Sequence, residues 1–168
     1  MKIKTLTEIS LLLAIGFVLH TLFPPIIFGM KPDFSLAMLF SIIIIKRDFK
    51  LALIAGLITG IFTALTTSFP GGQIANIVDK IITTIIMTVI ILKMNRENFI
   101  LVGLFNFIGT IISGVTFLGT AAIIFGLPGP MLTLILTVVL PTALINTLTG
   151  IILYSSIVQS KRLIRQTK

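Results

Sequence analysis

The sequence contains no cysteine and only one histidine, which limits the chemistry that it can support. Disulfides and thiolate metal sites are excluded, and a zinc site of the His-Glu-x-x-His type would need two histidines. The sequence also lacks the Gly-x-Ser-x-Gly motif of hydrolases and the Gly-x-x-x-x-Gly-Lys-Ser/Thr phosphate loop. We therefore expect no enzymatic activity, no metal and no cofactor in this chain.

Charged residues are scarce as well, at 11% of 168 positions, whereas soluble domains contain about 25%. Apolar residues make up 56% of the chain, and the mean hydropathy is +1.18. A chain this short has too little interior to bury so many Ile, Leu and Phe side chains away from water. The composition therefore predicts an integral membrane protein.

Long apolar runs predict that the spanning elements are helices. A helix rises about 1.5 Å per residue, so about 20 apolar residues cross a hydrocarbon core of about 30 Å. The strict alternation of a barrel strand is absent, and open sheet edges are not viable in lipid. We predict an all-α integral membrane protein with six transmembrane helices in one domain, residues 1–168. The predicted spans are 6–22, 33–45, 51–68, 74–92, 99–125 and 130–156.

Basic residues are concentrated in four segments. All but two of the 13 Lys and Arg residues lie at the N-terminus, at 46–50, at 93–96 and at the C-terminus. With six spans these segments fall on one side of the membrane, which the positive-inside rule makes cytoplasmic. Both termini are then cytoplasmic, in a multi-pass protein of the cell membrane. The net charge of +8 thus indicates orientation in the bilayer and not a nucleic-acid partner.

The first outer connection, residues 23–33, is apolar but contains three prolines, at 24, 25 and 32. Prolines prevent a continuous helix, and irregular backbone at membrane depth survives only against protein or around a cavity. The helix that follows would be about 18 Å long, which is too short to cross the bilayer alone. We therefore predict that residues 23–33 form a lid over an outward-facing cavity.

The fourth predicted helix carries a polar stripe near its outer end. At about 100° per residue, Gln73, Asn76, Lys80 and Thr84 fall within an arc of about 80°, and Asp79 lies beside it. A charge at the centre of a membrane helix costs about 2.5–3.5 kcal/mol on insertion scales. We therefore predict that the stripe faces the interior of the bundle, beneath the lid.

Structural explanations for the same polar residues stay open. Asp33 could cap the second helix, and Lys31 could extend its amine to the headgroups. His20 could be a hydrogen-bonded residue at the membrane surface. Asp79 and Lys80 could neutralise other groups within the fold.

Small and polar residues elsewhere also have structural explanations. The spacing of Glu8 from a threonine three residues earlier predicts a capping box at the start of the first helix. Asn106 and Asn146 are typical of hydrogen bonds between membrane helices. Small residues four apart, as at Gly56 and Gly60, indicate either packing within the bundle or docking on a separate membrane subunit.

Three motifs carry a resemblance to a known family. They are Gly-Met-Lys-Pro-Asp at 29–33, ALTTSFPGGQIANIVDK at 64–80, and Ile-Gly-Thr at 108–110 with Gly114 after it. In these motifs the sequence resembles the substrate-binding S components of energy-coupling factor (ECF) importers, in particular the tryptophan-specific ones. The resemblance covers nearly the whole chain. The first helix has Ser10-xxx-Ala14 where S components typically have Ala-xxx-Ala.

The resemblance implies a mechanism. An S component captures its solute outside and associates with the ECF module, which consists of a transmembrane coupling subunit and two ATPases. It then topples in the membrane and releases the solute inside, so that ATP is used by the partner subunits only. For this chain the resemblance implies a tryptophan site beneath the first outer loop and docking through Ser10 and Ala14.

Tryptophan, or a similar aromatic amino acid, presents an ammonium, a carboxylate and a ring. Lys31 or Lys80 would meet the carboxylate, and an aspartate, Asp33 or Asp79, would meet the ammonium. Aromatic walls would hold the ring. The predicted substrate-binding residues are those expected near the cavity: His20, Phe28, Lys31, Asp33, Phe69, Gln73, Asn76, Asp79, Lys80 and Phe117.

Two other functions remain open at this point. One is a stand-alone secondary transporter for an aromatic amino acid or a related small solute, working as an oligomer on an ion gradient. The other is a membrane scaffold with no ligand, for which the small-residue helix faces would suffice. A scaffold would leave the lid and the polar stripe without a purpose.

Overall fold

The computed structural model describes residues 3–23, 33–67, 69, 71–94 and 98–166, apart from the side chain of Arg165. These residues form six helices and no strand, as predicted. Four helices that are long and apolar enough to span a membrane are α1 (Ile3–Leu22), α3 (Phe49–Thr66), α4 (Gly72–Lys93) and α5 (Phe99–Ile124). A fifth, α6, begins at Met131, whereas α2 (Phe34–Lys46) is shorter. The protein is an all-α, multi-pass membrane protein.

The last helix, α6, consists of three consecutive segments. An α-helical turn, Met131–Leu134, leads into a π-helical turn, Ile135–Val139, and then into the long α-helix Leu140–Gln166. Pro141 lies at the start of that long segment. Because proline has no N–H and its ring crowds the preceding turn, the π turn accommodates the interrupted hydrogen-bond ladder. The helix also continues past the predicted end at 156, into a polar segment that includes Lys161.

The short helix α2 lies at the centre of the bundle. All eleven residues from Phe34 to Ile44 are buried, and the other five helices pack around them. A helix that is apolar on every side is one that protein surrounds completely. Since α2 faces other helices and not lipid, it does not need to match the thickness of the bilayer. Its length of 13 residues, about 20 Å, is therefore compatible with a place inside the bundle.

Small residues allow the closest approaches between helices. A Cβ added at Gly56 on α3 would lie 2.8 Å from Thr84 Cβ on α4, and one at Gly60 would lie 3.2 Å from Ile77 Cα. These glycines therefore serve packing within the bundle, where α3 and α4 make the most extensive helix contact. Ser10 and Ala14 differ, because both are exposed on the side of α1 that faces away from the other helices.

Ion pairs and a hydrogen bond show that basic residues from several segments lie at the same end of the bundle. Glu8 on α1 lies 2.5 Å from Lys46 Nζ at the end of α2 and 2.5 Å from Lys161 Nζ near the end of α6. Arg47 Nη2 donates to the carbonyl of Ile91, 2.6 Å away, in the last turn of α4. The segments that the charge distribution assigns to the cytoplasmic side therefore lie together at one end of the bundle.

The predicted capping box at Glu8 is wrong. The helix already includes Ile3, so Thr5 lies inside it and is not the N-cap residue that precedes it. The Glu8 carboxylate bonds instead to lysines from α2 and α6, of which Lys161 is far away in sequence. Local spacing could not reveal partners that only the tertiary fold brings together.

The close packing of α3 on α4 yields a stability prediction with a matched control. We expect Gly56→Ala to lower the free energy of unfolding by about 1–3 kcal/mol, because the new methyl group overlaps Thr84. Gly119→Ala makes the same change on α5, where no described atom lies within 4 Å of the added carbon. It should leave stability unchanged or slightly higher, since alanine favours helix. Thermal unfolding in detergent checks both, and equal stability of the two variants would contradict the packing.

Candidate functional site

A cavity of about 380 Å³ lies between the start of α2 and helices α4, α5 and α6. We call it the central cavity. Its volume is within the range of small-molecule sites, about 300–1,000 Å³. It lies at the end of α2 opposite to Lys46, so it belongs to the outer part of the bundle. Its polar lining comprises Asp33, Asn76, Asp79, Lys80, Thr110, Ser113, Thr142 and Asn146, and its apolar lining includes Leu36, Phe69, Phe117, Leu118, Pro128, Leu134, Val138 and Val139.

The polar side of α4 faces this cavity and the core. Asn76, Asp79 and Lys80 are buried and line the cavity, and Thr84 is buried beneath them. The predicted position of Gln73 is wrong, because this side chain is exposed. In the first turn of α4 the buried residues are Gly72 and Ala75, which lie on a different side of the helix from Gln73.

Asp79 and Lys80 form the ionic centre of the site. Lys80 Nζ lies 2.6 Å from Asp79 Oδ2 and 3.2 Å from Ser113 Oγ on α5. Ser113 in turn donates to Asp79 Oδ2 over 2.9 Å, and Thr83 donates to Asp79 Oδ1 over 2.9 Å. The side chains of Asp79 and Lys80 are only 1% and 4% exposed. Each charge is therefore neutralised or hydrogen-bonded inside the protein, as a low-dielectric interior requires.

Asp33 joins the ionic centre to the start of α2. Its Oδ1 accepts the backbone N–H of Leu36 over 3.0 Å, which makes it the N-cap of α2. Its Oδ2 lies 3.6 Å from Lys80 Nζ, and its Oδ1 lies 3.6 Å from His20 Nδ1 on α1. The two roles left open for Asp33, helix cap and charged group of a cavity, thus coincide in one side chain.

Two further polar residues link α5 and α6 to this centre. Asn146 Oδ1 accepts the backbone N–H of Asp33 over 2.8 Å, and Asn146 Nδ2 donates to Thr110 Oγ1 over 3.2 Å. Neither Thr110, which belongs to the Ile-Gly-Thr motif, nor Ser113 was among the predicted binding residues. Both follow Asn106 at spacings of four and seven residues, so helical periodicity would have placed all three on one face of α5.

An aromatic pair forms one wall of the central cavity. Phe69, from the connection between α3 and α4, and Phe117, from α5, meet edge to face with ring centroids 5.4 Å apart. Both line the cavity. Of the other predicted residues, Phe28 and Lys31 fall outside the described residues, as does the lid except for Phe23 and Asp33. The lid therefore stays a prediction.

The fold and the cavity define a class of protein: a multi-pass helical membrane protein with a charged and aromatic cavity inside its bundle. Comparison with known proteins makes this more specific. The chain belongs to the tryptophan transporter TrpP family, whose model matches residues 2–162.

Three curated relatives are each described as a probable tryptophan transport protein. The one from Clostridium acetobutylicum is 45% identical, over 98% of this chain and 97% of its own. Those from Clostridium perfringens and Bacillus subtilis are 44% and 42% identical, over 95% and 92% of this chain and 93% and 90% of theirs. No solved structure matches the chain. The relatives are named as transport proteins and not as enzymes.

The buried pair of Asp79 and Lys80 yields a second stability prediction. We expect Lys80→Met to lower the free energy of unfolding by about 3–5 kcal/mol, because it leaves the Asp79 carboxylate buried without its counterion. Adding Asp79→Asn should restore part of that loss, since a neutral asparagine then replaces the Asp79 carboxylate that lost its counterion. Lys50→Met is the control, because Lys50 is exposed, and it should change stability by less than about 0.5 kcal/mol. Chemical denaturation in detergent measures all three, and a double variant less stable than Lys80→Met would contradict the prediction.

Proposed function

We propose that this protein is the substrate-binding S component of an ECF-type, ATP-driven importer of tryptophan. It captures tryptophan from the outer side in the central cavity and releases it inside after docking on the ECF module. ATP is bound and hydrolysed by the partner subunits and not by this chain. The observation that carries the proposal is the central cavity, which combines charges of both signs with an aromatic wall in the outer part of the bundle.

The lining of the cavity suits the chemistry of a free aromatic amino acid. Lys80 offers a cation, and Asp33 and Asp79 offer carboxylates, within one enclosed cluster. Phe69 and Phe117 offer aromatic surface to an indole ring, and such rings stack or meet edge to face favourably. The names of the relatives, which are tryptophan transport proteins, support the same ligand.

The exposed face of α1 is the proposed docking surface for the coupling subunit. Ser10 and Ala14 lie on it beside the apolar side chains of Leu11, Ile15 and Val18, which are 61%, 42% and 49% exposed. Small residues allow two membrane helices to approach closely, and the apolar ones fill the contact around them. The internal packing of α1 uses other residues, such as Gly16 against Met38.

Reconstitution of the purified chain tests the proposed function. The chain alone should bind labelled tryptophan in detergent, and liposomes that contain it alone should not accumulate tryptophan under any ion gradient. Uptake should appear when the ECF module and ATP are added. Accumulation by the chain alone would favour the stand-alone secondary transporter instead, and absence of tryptophan binding would remove tryptophan as the ligand.

A substitution on α1 separates docking from binding. We expect Ala14→Leu to reduce ATP-dependent tryptophan uptake at least tenfold in vesicles that contain the ECF module, because the larger side chain keeps the helices apart. Tryptophan affinity of the isolated chain should not change, since Ala14 is exposed and does not line the central cavity. Ala122→Leu makes the same change at an exposed position of α5 and should leave uptake intact. Equal uptake by the two variants would exclude Ala14 from the docking surface.

A further inference from the structure

The two carboxylates of the central cavity differ in how fully the protein satisfies them. Both line the cavity, and both lie near Lys80. Their distances to hydrogen-bond donors, their exposure and their positions in the helices are different. These differences indicate which of the two is available to a ligand.

Both carboxylate oxygens of Asp79 already accept hydrogen bonds from the protein itself. One of its oxygens accepts hydrogen bonds from Lys80 and Ser113, and the other accepts one from Thr83, all within 2.9 Å. Its side chain is 1% exposed. Asp79 therefore acts as the fixed counterion that neutralises Lys80 and holds its amine in place.

One carboxylate oxygen of Asp33 accepts a hydrogen bond, whereas the other has only a longer ionic contact. Oδ1 accepts the N–H of Leu36, whereas Oδ2 lies 3.6 Å from Lys80 Nζ, which is too long for a hydrogen bond. Lys80 is itself paired more closely with Asp79, at 2.6 Å. The Asp33 side chain is also 20% exposed, the largest value in this ionic cluster.

The charge balance of the cluster points the same way. Asp79 and Lys80 cancel, so the side chains of Asp33, Asp79 and Lys80 together carry one formal negative charge. His20 lies beside the other Asp33 oxygen, Oδ1, and not beside Oδ2. A ligand ammonium that reached Asp33 Oδ2 would form a charge-assisted hydrogen bond in a partly desolvated site, which is the stronger kind. A ligand carboxylate would meet a lysine whose charge Asp79 already neutralises, and it would be repelled by Asp33.

We propose that Asp33 is the residue that accepts the ammonium of the ligand, so that the central cavity selects aromatic amines and recognises the carboxylate of an amino acid second. The inference rests on the proposed function, because it takes tryptophan as the ligand. It assigns separate roles to the three charged side chains: Asp33 contacts the ligand, Asp79 is a counterion, and Lys80 is positioned between them.

A ligand series on the wild-type protein tests the first part. Isothermal calorimetry in detergent compares L-tryptophan with tryptamine, which lacks the carboxylate, and with indole-3-propionate, which lacks the ammonium. Indole-3-propionate should bind at least 100-fold more weakly than tryptophan. The affinity of tryptamine should fall by a smaller factor. A protein that binds indole-3-propionate better than tryptamine would overturn the proposal.

The variant Asp33→Asn tests the residue itself. Asparagine caps helices as well as aspartate does, so the start of α2 is preserved while the charge is removed. Tryptophan should bind at least tenfold more weakly, whereas indole-3-propionate should bind as well as before or better, because a repulsive charge has gone. The preference for tryptophan over indole-3-propionate should therefore fall at least tenfold.

Asp48→Asn is the matched control. Asp48 caps α3 at the cytoplasmic end through the N–H of Leu51, so the change in chemistry is the same and the cavity is remote. It should bind all three ligands as the wild type does. If Asp33→Asn keeps the wild-type preference, or weakens tryptophan and indole-3-propionate equally, Asp33 is not the ammonium acceptor. If the wild type binds no tryptophan, the proposed function itself fails, and the inference fails with it.

Discussion

One constraint organises the bundle: charges inside a membrane-embedded protein need partners that the protein itself supplies. Lys80 on α4 finds them in its neighbour Asp79, in Ser113 on α5 and in Asp33 at the start of α2. Asp33 extends the links through its backbone N–H to α6 and through its carboxylate to α1. Five of the six helices thus meet at one ionic cluster. These contacts link the five helices at the outer part of the bundle.

The central cavity follows from the shortness of α2. The first residue before this helix, Asp33, is hydrogen-bonded to Asn146, yet α6 begins at Met131 and continues about 20 Å past that point. Helix α6 therefore extends beyond the end of the central one. Together with α4 and α5 it borders a space that α2 does not fill, and that space is lined by side chains such as Phe117 and Val138. The shortness of this apolar helix, a poor membrane span by itself, is what leaves the central cavity open.

The helices, their order and the sided distribution of charge could be predicted because they depend on local composition, that is, on apolar runs and on clusters of lysine and arginine. The inward orientation of Asn76, Asp79 and Lys80 could be predicted because exposing polar and charged side chains to lipid is costly. Gln73 could not be placed, since the side of α4 that is covered in its first turn depends on neighbouring elements. The partners of Glu8 and Asp33 could not be predicted either, because Lys161 and Asn146 are more than 100 residues away in sequence.

Stability alone does not account for the ionic cluster. A buried ion pair gains little or nothing over well-packed apolar residues, because desolvation of the two charges offsets their attraction. An all-apolar interior would hold α4 against α5 as well as the contacts between Lys80, Asp79 and Ser113 do. Charges of both signs beside an aromatic wall instead match a zwitterion with a ring. The arrangement is therefore better explained by recognition of a solute than by the needs of the fold, which suits a member of a transporter family and not a scaffold.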